Sequence, residues 1–203
     1  IARRYFNERR GLARLALDRL DDGEGGAVED APEDEALEKP SLNTRRLEAG
    51  VEALKRTGAT SVIDLGCGEG NLLRLLLKEK RVTRIPGVDV SVPVLGRAAR
   101  RLDLDGTPEM RNSRLALFQG SLIYRDDRFA GYDGAAVVEV IEHLDRNRIA
   151  AFEQVLFGTA RPPVVVLTTP NAEYNARYES LTPGRLRHGD HRFEWNREQF
   201  TNG

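Results

Sequence analysis

Residues 61–77 constrain the fold more than any other stretch of the chain. Val62 and Ile63 lead an apolar run into Asp64 and Leu65, Gly66-Cys67-Gly68-Glu69-Gly70 breaks it, and Asn71-Leu72-Leu73 opens a helix-like segment that continues through Leu77. A short, nearly unbroken apolar run is what a buried parallel strand requires. The pattern therefore predicts a strand, a tight glycine turn and a helix. Three glycines at alternate positions let the backbone turn sharply and approach a ligand where a Cβ would intrude. The spacing is not the Gly-x-Gly-x-x-Gly of dinucleotide-binding folds, because the third glycine comes one residue early and an acid, Asp64, opens the motif. A purely structural turn is the plainer alternative for these residues alone.

The rest of the chain supplies a sheet around this unit. Residues 84–91 read as a second strand ending in Asp89, residues 115–121 as a third, 133–138 as a fourth and 163–168 as a fifth. Helices are expected from Ser41 to near Gly58, over 93–102 and over 145–158. Five strands alternating with helices predict an α/β protein with an open, mostly parallel, Rossmann-like sheet, whose ligands bind at the carboxyl ends of the strands. Asp89 falls about 20 residues beyond the glycine loop, where an acid can accept from both ribose hydroxyls of an adenosine. The Gln119-Gly120-Ser121 end of the third strand would lie beside the adenine, within reach of the Ser121 hydroxyl.

Residues 1–20 place Leu12, Leu15, Ala16 and Leu20 at helical spacing among six arginines, an amphipathic helix with a solvated basic face. Residues 21–40 follow as an acidic linker: nine acids and no Lys or Arg lie between 21 and 38, too polar to pack. The chain carries 31 basic and 32 acidic residues, so outside residues 21–38 bases exceed acids by eight. A basic remainder suits a polyanionic partner. In the helix that begins at Ser41, Arg45 and Arg46 occupy the first turn, where the helix dipole disfavours cations. That cost points to an external anion for one of them. The lone cysteine, Cys67, excludes an internal disulfide and fits a reducing, cytoplasmic compartment. Its place between two glycines reflects size rather than reactivity. No long apolar run or signal-peptide pattern is present, so neither a membrane span nor secretion is expected.

The residues with chemistry follow the fourth strand. Glu139-Val140-Ile141-Glu142-His143 sets two carboxylates and an imidazole within five positions. If a helix begins there, 139, 142 and 143 are i, i+3 and i+4 and share a face, at metal-ligand spacing. A helix start with glutamates favoured by the dipole accounts for the pentapeptide equally well. Downstream, His188-Gly189-Asp190-His191-Arg192-Phe193-Glu194-Trp195 holds both remaining histidines and the only tryptophan, in a loop that gives a histidine no packing reason to be there.

Taken together, Asp64-x-Gly66-x-Gly68-x-Gly70, Gly87-Val88-Asp89-Val90-Ser91, Glu139-x-x-Glu142-His143, Thr169-Pro170-Asn171-x-Glu173-Tyr174-Asn175 and Asp190-His191-Arg192-Phe193-Glu194-Trp195 resemble the HUA-ENHANCER family over roughly residues 40–200. These are small-RNA 3′-terminal ribose 2′-O-methyltransferases that use S-adenosylmethionine (SAM), with a bacterial branch associated with RNA repair. The resemblance implies a cofactor site at Asp64, Gly66, Gly68, Gly70, Asp89 and Ser121. It also implies a divalent cation held by Glu139, Glu142, His143 and His191, which would be the catalytic set. His188 is not fixed by the motif and is left out. The implied partners are an RNA 3′ end and, in the repair branch, a kinase, phosphatase and ligase. Methyltransferase sheets of this kind carry two further strands, so the expected domain, residues 41–203, is C-terminally truncated.

SAM already carries an activated methyl, so the protein must supply a better nucleophile and an in-line approach. A divalent cation lowers the pKa of a bound oxygen, and a terminal ribose offers adjacent 2′- and 3′-hydroxyls that an internal ribose lacks. Two carboxylates and two imidazoles leave room for both hydroxyls in a six-coordinate sphere, which suits Mg²⁺ or Mn²⁺, the imidazoles favouring Mn²⁺. Zn²⁺, normally four-coordinate, is the alternative without substrate. Asn171, Tyr174 and Arg192 are the expected contacts of the terminal nucleotide. Two rival readings are a metal-independent SAM-dependent methyltransferase of a small molecule or protein, and a non-enzymatic RNA-binding module. The second gives no reason to keep Asp64, Asp89 and all three glycines.

Overall fold

The structure is a computed structural model that describes residues 41–104, 113–178, 181–182 and 184–202. The amphipathic helix and the acidic linker expected over 1–40 lie outside the described residues. The remainder forms one compact unit, Pro40–Gly203.

Helix α1 spans Leu42–Thr57, with the Ser41 hydroxyl accepting from the Thr44 N–H and Gly58 closing the helix in the left-handed region at φ 76°. Both ends fall where the sequence placed them, since a serine cap and a terminal glycine are the strongest local stop signals. Strands β1 (Val62–Leu65), β2 (Ile85–Asp89), β3 (Leu115–Gln119), β4 (Gly134–Val138) and β5 (Val164–Thr168) form a sheet in the order β3-β2-β1-β4-β5, with every pairing parallel. Helices α2 (Asn71–Leu76) and α3 (Val92–Arg101) connect the first three strands.

Alternation along the strands divides the apolar residues between two layers. Ile63, Leu65, Ala135 and Val137 face one side, packing with Phe129, Phe152, Leu156 and Phe193. Val62 and Ala136 face the other, packing with Val51 and Leu54 of α1 and Leu72, Leu73 and Leu76 of α2. β1 and β4 are buried almost throughout, which is why they read as continuous apolar runs.

The chain runs outward from β1 to β3 and then returns to place β4 beside β1, so the strand order reverses between these two. Ligands of open α/β sheets bind at such a reversal, beyond the carboxyl ends of the strands. Here those ends carry the glycine loop and the Glu139–His143 segment.

Two local expectations need correction. The helix expected over 145–158 is built of three pitches, a 3-10 turn Arg146–Arg148, a short α-helix α4 (Ile149–Glu153) and a π-helical stretch Gln154–Ala160. No helix begins at Glu139. That residue sits alone in the left-handed region at φ 56°, and only Ile141–His143 forms a 3-10 turn. The i, i+3, i+4 face therefore does not exist, because the chain must turn sharply off β4 before it can coil. A final helix, α5, spans Arg197–Asn202. Among the described residues, no helix is long and apolar enough to cross a membrane.

Candidate active site

The glycine loop is shaped by two different demands. The N–H groups of Gly66 and Cys67 both donate to the Val88 carbonyl at 2.8 Å, folding the loop over the end of β2. Gly66 has φ 86°, and a Cβ there would lie 2.5 Å from Val140 Cγ2, so packing excludes a side chain. Gly68 has φ 54°, yet a Cβ there would meet no atom within 4 Å. The open space beside Gly68 is the cradle in which a cofactor would lie against bare backbone. The Asp89 carboxylate accepts from the Gly68 N–H at 3.0 Å and from the Ser91 N–H at 2.8 Å, which leaves each oxygen a lone pair for a ribose hydroxyl. Asp64 is 2% exposed, and its Oδ2 has no hydrogen-bond partner among the described residues. Burial, aided by the negative charge of Asp89, pushes the Asp64 pKa up to about 7. An orphaned carboxyl at the head of the loop fits a cationic or hydrogen-bond-donating ligand group. The Cys67 thiol is driven far upward, first by burial and then by the two aspartates, so it is not a nucleophile.

The contact between Gly66 and Val140 joins this loop to the acidic segment after β4. Glu142, His143 and His191 bring one ligand atom each to within 4.8 Å of one another. Glu142 is fully buried, with Oε2 accepting from the Thr169 hydroxyl at 3.1 Å and Oε1 without a partner among the described residues. Burial, together with the charge of Glu139, raises its pKa to about 7. A buried, half-satisfied carboxylate grouped with two imidazoles is a set of donors that could hold a divalent cation.

His191 reaches the cluster because its loop is anchored on both sides. The Arg192 N–H donates to the Glu142 carbonyl at 2.7 Å, the Phe193 ring enters the core, and the Trp195 carbonyl accepts from the Ala172 N–H at 2.9 Å. His191 Nδ1 lies 2.7 Å from Glu194 Oε1 and His143 Nδ1 lies 3.1 Å from Asp190 Oδ2. A carboxylate on each Nδ1 fixes the proton there and leaves Nε2 bare as a donor to metal. Glu194 also accepts from the Asn175 amide at 2.6 Å and from the Arg187 N–H at 2.7 Å. Burial would raise its pKa, but these donors outweigh it and hold the carboxyl below its usual range. His143 is pushed down by burial against the pull of Asp190.

Glu139 stands beside the cluster and outside it. Its Oε2 pairs with Arg46 Nη1 at 3.0 Å and its Oε1 accepts from the Thr168 hydroxyl at 3.3 Å. The anion that Arg46 meets in this structure is therefore internal. His188 bonds through Nδ1 to Asp190 and takes no part in the cluster. Next to the site lies a pocket of about 400 Å³ lined by Leu42, Arg46, Thr169, Asn171, Tyr174, Arg177, Tyr178 and Arg187. Asn171 and Tyr174, two of the expected nucleotide contacts, line it. Arg192 does not, and its nearest acid is Asp145 at 3.6 Å. Ser121 follows β3 at the same edge of the sheet as Asp89.

Asp190, Glu194, Thr168 and Thr169 were not singled out in the sequence as supports of the metal ligands. Glu194 carried a signal, an acid three residues after a loop histidine. Thr169 opened one of the family motifs, whereas Thr168 carried no signal, since Thr at the end of a strand is ordinary.

The parallel sheet, the cofactor cradle and the acid-histidine cluster define the class. A family model for a methyltransferase domain matches residues 6–202, and the chain belongs to that family. The methyltransferase domain of the bacterial protein CtHen1 superposes with a TM-score of 0.71 at 56% identity, over 80% of this chain and 82% of that one. The small RNA methyltransferase HEN1 superposes at 0.73 and 32% identity, over 88% of this chain and 22% of that one. Among characterised sequences, the small RNA 2′-O-methyltransferase of Mus musculus is 36% identical over 187 residues, 87% of this chain. Within the methyltransferases, then, this is a HEN1-family domain, as its motifs led us to expect. The chain spans 45% of the mouse protein's length.

Proposed function

We propose that this domain transfers the methyl group of SAM to the 2′-hydroxyl of the 3′-terminal ribose of an RNA, with a divalent cation at Glu142, His143, His191 and Glu139. The observation that carries this reading is the buried Glu142 carboxylate, one oxygen of which has no partner among the described residues, clustered with two carboxylate-oriented histidines beside a glycine loop with open space at Gly68. SAM, when bound, supplies an activated methyl. Mn²⁺ or Mg²⁺, when bound, supplies Lewis acidity toward a ribose hydroxyl.

The protein's own residues do the positioning. Asp64, Gly66, Gly68, Gly70, Asp89 and Ser121 hold the cofactor, and the Gly66–Val140 contact sets it beside the metal ligands. Thr169 turns Glu142, while Asp190 and Glu194 keep the Nδ1 protons of His143 and His191. The pocket offers Tyr174 and Tyr178 as stacking surfaces for a nucleobase and arginines for phosphate, the pattern of single-strand recognition. A free 3′ end reaches the cation with both hydroxyls, which selects ends without reading sequence. The family resemblance further supports a cytoplasmic enzyme acting beside an RNA-repair kinase, phosphatase and ligase.

Methyl transfer from labelled SAM to two oligonucleotides differing only in the terminal 2′ position tests the reading. Label should enter the RNA ending in a 2′,3′-diol and not the one ending in a 2′-deoxy residue. Equal labelling of both would contradict it.

A further inference from the structure

Arg46 ties two segments together. It is the fifth residue of α1, and its side chain is only 21% exposed and reaches across to the turn after β4. There it pairs with Glu139 at 3.0 Å, while Thr168 occupies the other carboxylate oxygen. Glu139 is thus satisfied by two protein partners and kept from the Glu142–His143–His191 cluster, although its negative charge is felt at Glu142. The same Arg46 lines the 400 Å³ pocket together with Thr169 and Asn171. A neighbouring pocket arginine, Arg187, already donates to Asn175 Oδ1 and to the Asn171 carbonyl.

We propose that Arg46 is an exchangeable counterion of the metal site: it neutralises Glu139 while the cation is absent, and is released to the pocket when the cation takes Glu139. The inference rests on the methylation reading and adds to it a coupling between two ligands. A divalent cation that takes Glu139 leaves a half-buried guanidinium without its partner, which is costly until another anion replaces it. A backbone phosphate of the RNA end entering the pocket is that anion. Cation and RNA end therefore favour each other's binding, and each raises the other's affinity by the same factor.

The test uses the chain, Mn²⁺, and a short RNA oligonucleotide with a 2′,3′-dideoxy end, which has no terminal hydroxyl to meet the cation. Calorimetry of Arg46→Gln should show Mn²⁺ bound about five- to tenfold tighter than by the parent. For the parent, Mn²⁺ should tighten binding of the oligonucleotide by about the same factor. In Arg46→Gln that enhancement should largely vanish. Simple charge repulsion between Arg46 and the cation would tighten Mn²⁺ in the variant but leave the enhancement as large as in the parent, and that result would overturn the exchange. So would an Mn²⁺ affinity no tighter in the variant, with the methylation reading left standing. A parent that binds no Mn²⁺ would overturn both.

Discussion

Asp64 is the residue at which burial and charge conflict most directly. Its folded-state pKa of about 7 lies above the ordinary aspartate value of 3.8, so the neutral acid is tolerated at low pH and stability is lost as pH rises from about 4 towards 7. Asp64→Asn removes that dependence. The variant without ligand should gain stability relative to the parent across this window, by roughly 4 kcal/mol once pH exceeds 7. Thermal melts at pH 4.5 and pH 8 check it, and an offset independent of pH would show that Asp64 is ionised throughout. The same variant should bind SAM more weakly, since the unpaired carboxyl oxygen is what the cofactor is proposed to satisfy. Asp64 and Asp89 were legible in the sequence because each ends an apolar run. The pairing of Arg46 with Glu139 was not, because nothing local links residues so far apart in the chain. Only the cost expected of a cation near the start of α1 hinted that it needed an anion.

At the scale of elements, the glycine loop separates folding from binding. Gly66→Ala would drive a Cβ into Val140 and should destabilise the fold by about 2 kcal/mol or more. Gly68→Ala meets no protein atom, so it should cost only the strain of a left-handed residue, about 1 kcal/mol, while obstructing the cofactor cradle. Melting temperatures and SAM titrations of the pair should therefore diverge in opposite senses. If Gly68→Ala bound SAM as tightly as the parent, the cofactor would lie elsewhere. The strands, α1 and its caps were readable because buried apolar runs, a serine cap and a terminal glycine are local signals. The π-helical stretch 154–160 and the left-handed turn at Glu139 were not. No glycine marks that turn, and a seven-residue change of pitch leaves the apolar spacing almost unaltered.

At the scale of the whole molecule, charge would decide how the proposed RNA substrate is met. Bases outnumber acids by eight outside residues 21–38, and Arg46, Arg177 and Arg187 line the pocket beside the site. Affinity for RNA should fall steeply as salt rises and depend little on sequence, because phosphate contacts dominate and no base-reading module is evident. A flat salt dependence in a binding titration would contradict this. The Glu142–His143–His191 cluster, the proposed cation site, joins two segments that the sequence separates, Glu142-His143 after β4 and His191 in the loop beyond β5. The sequence pointed to these residues through family motifs. What it did not reveal is how Phe193, Trp195 and the Arg192–Glu142 backbone bond carry His191 across the strand ends.

The central claim is that His191 completes a cation site with Glu142 and His143, and a calorimetric titration of Mn²⁺ into the parent and into His191→Ala tests it most directly. Losing one imidazole ligand whose proton is fixed by Glu194 should weaken Mn²⁺ by at least about tenfold, in the range seen when supports of metal ligands are removed. SAM affinity should stay nearly unchanged, because the cofactor residues lie on other strands. Equal Mn²⁺ affinity in the two proteins would contradict the site and the methylation chemistry built on it.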